Sequence, residues 1–169
     1  MLRPAFVLTI ALLAHPRVEA AAQRRAPTGS AEASQPLTVT ARVGGKSYET
    51  SGPGSCKHEP AASIYDVPAA LWMVEYGNRA DERIKQLNLT LWRPKDGSPD
   101  QVSLSLETSS SSHRISAGGK GDPVGSATVK LTPKGPGGRF ELKGKDADGD
   151  KVEVTISCPA FAAVEAEGG

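Results

Sequence analysis

Aromatic residues are scarce in this chain, cysteines number only two, and neither sign of charge is in excess. Each shortage closes off a class. Lys and Arg total 20 against 19 Asp and Glu. With no basic block, a nucleic-acid binder lacks its cationic face, and a membrane-surface binder lacks its polybasic patch. Long apolar runs are missing too. The one sustained stretch, Ala5 to Ala14, is half of the roughly 20 residues that a membrane-spanning helix needs. Convincing helical periodicity over ten residues is found nowhere. Breakers are plentiful instead, with 18 Gly and 13 Pro, and a helical protein seldom carries so many.

The apolar stretch follows Arg3 and precedes small residues at Val18 and Ala20. That is the pattern of a secretory signal peptide over 1–20. Cleavage would remove Arg3, Arg17 and Glu19, leaving 18 basic and 18 acidic residues. Residues 21–36, rich in Ala, Arg and Ser, have no apolar periodicity and read as a disordered leader. Residues 162–169 read as a flexible tail. One domain over 37–161 is expected, secreted or periplasmic, with no transmembrane anchor in the processed chain.

Cys56 and Cys158 are then the only thiols in an oxidising compartment, and two such cysteines pair. A bond between them would close a loop of about 100 residues, for which the chain-entropy model gives about 4.7 kcal/mol as an upper figure.

Between the breakers, apolar residues recur at every second position. Leu37, Val39, Ala41 and Val43 share a face, as do Leu87, Leu89 and Leu91, then Val102, Leu104 and Leu106, and finally Val152, Val154, Ile156 and Cys158. Period two repeated through some nine short segments predicts an all-β, antiparallel domain. A β-sandwich, Ig-like or jelly-roll-like, is expected, with a partly open β-barrel as the alternative. Gly44-Gly45 marks a two-residue hairpin. The stretch after Cys56, broken by Pro60 and Pro68, reads as irregular.

Chemistry is harder to find. Asp146, Asp148 and Asp150 begin like a calcium loop, but Lys151 stands where that loop needs glycine, and the flanks are strands. A hairpin tip at Asp148-Gly149 explains them, with a weak cation site on these three aspartates as the alternative. Otherwise no metal ligand set and no cofactor site is expected. His58 lies beside Cys56 and Glu59 without an HExxH stretch. Ser109 to Ser112 precede His113, yet a triad is recognised by geometry rather than adjacency, and no GxSxG elbow exists.

Trp92 falls out of phase with Leu87, Leu89 and Leu91, so it is either a strand-end ring packed under a loop or exposed, and exposed tryptophan is frequent at binding hot spots. A candidate binding surface therefore includes Trp92, Arg93, Lys120 and Asp122, with Gly/Pro loops near 93–100, 117–125 and 133–138. Asn88-Leu89-Thr90 is a glycosylation sequon on the outward phase. The expected function is that of an exported non-enzymatic domain binding a protein, a glycan or an envelope component. The alternatives are a structural accessory subunit of an envelope complex and a small secreted hydrolase. A concave cluster of His113 with an acid and a serine would favour the hydrolase; an exposed patch at Trp92 would favour binding.

Overall fold

The computed structural model describes residues 35–165. The expected signal peptide, the leader up to residue 34 and the last four residues of the tail lie outside the described residues. Ten strands form: β1 (Gln35–Val43), β2 (Lys46–Ile64), β3 (Val67–Gly77), β4 (Ile84–Pro94), β5 (Gln101–Thr108), β6 (Ser112–Ala117), β7 (Ser126–Lys134), β8 (Gly137–Lys145), β9 (Lys151–Cys158) and the short β10 (Ala162–Ala163).

The all-β antiparallel expectation holds, and of the two architectures it is the barrel that forms. Strand β1 pairs with β2 on one side and β9 on the other. One sheet therefore curls on itself in the order β6-β5-β4-β3-β2-β1-β9-β8-β7. The alternating residues fill its interior. Leu37, Val39, Ala41, Leu87, Leu89, Leu91, Leu104, Leu106, Phe140, Val152 and Ile156 are all buried in one cluster. Each large aliphatic side chain so placed contributes about 1.5–3 kcal/mol. Among the described residues no helix is long and apolar enough to cross a membrane.

Closure is incomplete between β6 and β7, and strand parity sets how the chain crosses there. Nine strands stand around the path. Every ladder between neighbours is antiparallel, so directions alternate around the ring. Nine is odd, so β6 and β7 run the same way. The chain leaving β6 must travel back along the barrel before β7 can start. Residues 118–125 make that return. Val124 runs antiparallel to β6 and exchanges both backbone hydrogen bonds with Ser116, at 2.8 and 2.9 Å. Glycine is needed at both ends of the return. Gly118 and Gly125 have φ of 79° and 73°, and a Cβ on either would lie 2.1 Å from a backbone oxygen, of Asp100 and Lys145 respectively.

The disulfide between Cys56 and Cys158 is present, with Cα atoms 6.1 Å apart. It joins β2 to β9 near the place where β1, lying between them, begins. A bond of this kind belongs to an oxidising compartment.

Three local expectations change. The stretch after Cys56 is strand, not irregular chain: β2 continues to Ile64. Pro60 is tolerated because it sits at a bulge, where the register with β3 shifts between Glu59 and Ala62. The tip at 146–150 is not a two-residue turn, since only Gly149 there has positive φ. The Asp146 carbonyl accepts from the Gly149 amide and the Asp146 amide donates to Asp150, closing a five-residue loop. The expected tail opens as β10, which pairs in parallel with Lys57 and His58 of β2.

Candidate functional site

Cross-strand register assembles one surface from residues far apart in sequence. On the outer face of β4, β5 and β6, Trp92 stands opposite Gln101, Thr90 opposite Ser103, and Ser103 opposite Ser116. The β2–β3 turn brings Ile64 and Tyr65 to this floor, and the return segment brings Gly119 and Gly121. Together they enclose an open groove of about 420 Å3. Among the described residues no charged side chain lines it. By contrast, the depression along Thr40 and Leu142 is lined by Arg42, Glu141, Lys143 and Glu153.

Tyr65 is 53% exposed, the largest exposure among the big hydrophobic side chains described. It sits at φ 50°, followed by Asp66 at φ 67°. Two consecutive positive values define a type I′ hairpin turn, normally built from Asn and Gly. Lys120 reaches across from the return segment, its Nζ 4.5 Å from the Tyr65 ring centroid, a cation–π contact.

Of the expected surface residues, Trp92 lines the groove and Lys120 stands at its rim. Asp122 is exposed on the same segment, outside the lining. Arg93 does not join them, because successive strand residues point to opposite faces. Its guanidinium lies 5.4 Å from the Trp72 ring centroid and grips Asp100 at 2.9–3.2 Å. Trp72 in turn stacks on His58, its cross-strand partner, with centroids 4.4 Å apart. His58 Nδ1 is 2.9 Å from the Leu71 carbonyl, and Phe161 meets the rings of His58 and Phe140 edge-on. This aromatic plug uses His58 as a packed ring rather than a metal ligand. The loop near 133–138 is a tight β7–β8 turn whose residues do not line the groove.

The second candidate lies at the barrel seam. Asp146 is 4% exposed and His113 5%. Their contact, His113 Nδ1 to Asp146 Oδ2, is 2.6 Å, and His113 Nε2 lies 2.7 Å from Ser111 Oγ. The other oxygen of Asp146 accepts from the amides of Asp148 and Asp150. Burial raises the Asp146 pKa, but the hydrogen bonds from His113 and those two amides outweigh it and hold the carboxyl below its ordinary value. With Asp146 ionised, Nδ1 donates, and in the neutral imidazole Nε2 accepts the Ser111 hydroxyl.

This is the order of groups in an acyl-transfer triad, but the amides before Ser111 and its own are committed elsewhere. The Thr108 amide donates to the Ser111 carbonyl, Ser109 to Arg83, and Ser110 and Ser111 both to Thr108 Oγ1. The four amides leading up to and including Ser111 are all engaged, leaving none of them to hold a developing negative charge. As built, the trio is a clasp that ties β6 to the β8–β9 loop across the seam.

A cation could be shared by His113, Asp146 and Asp150, whose ligand atoms lie within 4.8 Å of one another, rather than by Asp146, Asp148 and Asp150. Both His113 nitrogens are already engaged, however. Among the described residues no buried side-chain nitrogen or oxygen lacks a partner, so nothing in the packing calls for an ion.

Sequence reasoning did not place Tyr65, Gln101, Ser103 and Ser116 in the groove that they line. Tyr65 is hidden because the Pro-broken stretch before it does not look like the strand that delivers it. The other three carry the signal of outward phase, which every polar strand residue shares. No family model matches the chain, and no similar curated protein and no similar solved structure was found.

Proposed function

We propose that this chain is an exported, non-enzymatic β-barrel domain, secreted or periplasmic, that binds a component of the envelope or medium in the groove between Tyr65 and Trp92. The carrying observation is the groove itself. It joins an exposed tyrosine, a half-buried tryptophan and several hydroxyl and amide groups on a rigid, fully laddered floor. Ligand sites combine apolar contact area with a few placed polar groups in this way. Export is supported by the disulfide and by the signal-like N-terminal sequence.

The two tryptophans give the experiment its readout. NMR follows the two indole N–H signals of the processed, oxidised protein during titration with fractions of its own envelope and medium, with Trp92→Phe assigning them. The Trp92 signal is expected to shift with at least one fraction, while that of the buried Trp72 stays nearly fixed. Fractions that leave the Trp92 signal in place would remove this reading.

A small hydrolase is the second reading, favoured by the Ser111–His113–Asp146 distances. It requires the Thr108–Ser111 turn to release an amide. A fluorophosphonate probe should leave Ser111 unlabelled. Labelling that disappears in His113→Gln would establish the hydrolase instead.

A further inference from the structure

We infer that the ligand of the Tyr65–Trp92 groove is a neutral carbohydrate, with Tyr65 held in a strained turn as one of its platforms. The inference rests on the groove reading above and adds the class of ligand.

Charge is the first argument. Among the described residues the lining contains no Lys, Arg, Asp or Glu, and the ammonium of Lys120 at the rim is turned onto the Tyr65 ring. An acidic or basic ligand would lose hydration without gaining an ion-pair partner in the groove. A neutral one loses nothing of the kind.

The second argument is where the hydrogen-bonding capacity lies. Strand β4 is laddered to β3 and β5, and β5 to β4 and β6. The backbone groups of the floor are spent, so an extended peptide finds no free edge to extend. What the floor offers are side chains: Thr90, Gln101 and Ser103, with Ser116 beside them. They point to the outer face, open to water. A purely apolar ligand would strip that water and return nothing. A ring bearing hydroxyls replaces it group for group, while its C–H face covers an aromatic ring.

The third argument is the backbone at Tyr65. The chain makes the same turn at Gly44-Gly45, where both φ values are also positive and glycine adopts them freely. At 65–66 it uses Tyr and Asp. A side chain in the left-handed region is strained, and Tyr65 stays 53% exposed, so core packing offsets little of that strain. Strain of this kind gathers at ligand clamps. The ring is further fixed by Lys120 on one face, which sets it in place before a ligand arrives.

Strain makes the test sharp, because folding and binding should move independently. Calorimetry and Trp92 NMR shifts are measured with neutral linear oligosaccharides (gluco-, manno- and xylo-), with uronate oligosaccharides, and with a polar uncharged peptide, on wild type, Tyr65→Gly and Trp92→Ala. At least one neutral oligosaccharide is expected to bind and shift Trp92. Tyr65→Gly should weaken it by about ten-fold or more, about 1.4 kcal/mol, with a melting temperature equal to or above that of wild type. Binding that survives both substitutions overturns the inference. With no neutral saccharide bound, binding of the uronates at Trp92 overturns the neutrality of the ligand, binding of the peptide overturns the carbohydrate class, and either leaves the groove standing. If neither these probes nor envelope and medium fractions move Trp92, both fall.

Discussion

Asp81 carries more of the fold than its place in a loop suggests. Its side chain is 6% exposed. One carboxylate oxygen receives the Arg83 amide at 2.7 Å. The other receives Thr50 Oγ1 from β2 and, at 3.5 Å, the Tyr76 hydroxyl from β3. The Thr50 hydrogen bond, with smaller help from Arg83, holds the Asp81 pKa at about 2 against an ordinary 3.8. A depressed carboxylate stabilises the fold above its unfolded value and loses that contribution as pH falls toward the folded one. Asp81→Asn should therefore cost about 1–2 kcal/mol near neutral pH, and its deficit relative to wild type should shrink between about pH 4 and pH 2. Urea midpoints of the two proteins across that range check it; a deficit independent of pH would contradict it. None of this was legible in "NRADER", where an acid between two arginines reads as solvent-facing. Asp146 misleads in the same manner, since aspartates at a hairpin tip are expected in water. What turned both inward are partners about 30 positions away, Thr50 and His113, and spacing carries no trace of such pairs.

At the scale of elements, strands with one buried face were readable and the rest were not. Leu87, Leu89 and Leu91 or Val152, Val154 and Ile156 alternate because one side faces the interior. Strand β7 breaks the rule in an informative way: Ala127, Val129 and Leu131 point inward but stay half-exposed, since the seam beside them is not laddered. The far half of β2 was lost for a different reason. Pro60 and the small residues around it look like a loop, and only the bulge opposite β3 makes them strand. The groove falls in this illegible part. Its floor is the polar phase of β4, β5 and β6, its wall is the turn at the end of that missed half-strand, and its roof is a return segment demanded by parity. That segment was expected as a binding loop from its glycines. Its purpose, to reverse direction between two strands that run the same way, follows only from counting strands around the closed path.

For the whole barrel the difficult step is joining its first strand, β1, to β9. The β1–β9 ladder pairs Thr38 with Ser157 and Val43 with Val152, contacts that become favourable only after a loop of more than 100 residues has closed. Such non-local pairing slows folding. The disulfide acts on this same closure. It ties β2 to β9, and β1, which is hairpinned to β2, is then held within reach of its second partner. In the unfolded chain the crosslink removes most of the entropy that the β1–β9 ladder would otherwise have to overcome. The double variant Cys56→Ser, Cys158→Ser is therefore expected to lose about 2–4 kcal/mol of stability and to refold more slowly, because the closure it lacks precedes barrel formation. Its unfolding rate should change less, since the ladders and the core beneath them are intact. Denaturant-dependent folding and unfolding rates of the two proteins separate these effects. If the loss appeared wholly in faster unfolding, with refolding unchanged, the crosslink would be bracing the finished barrel and not assisting its closure.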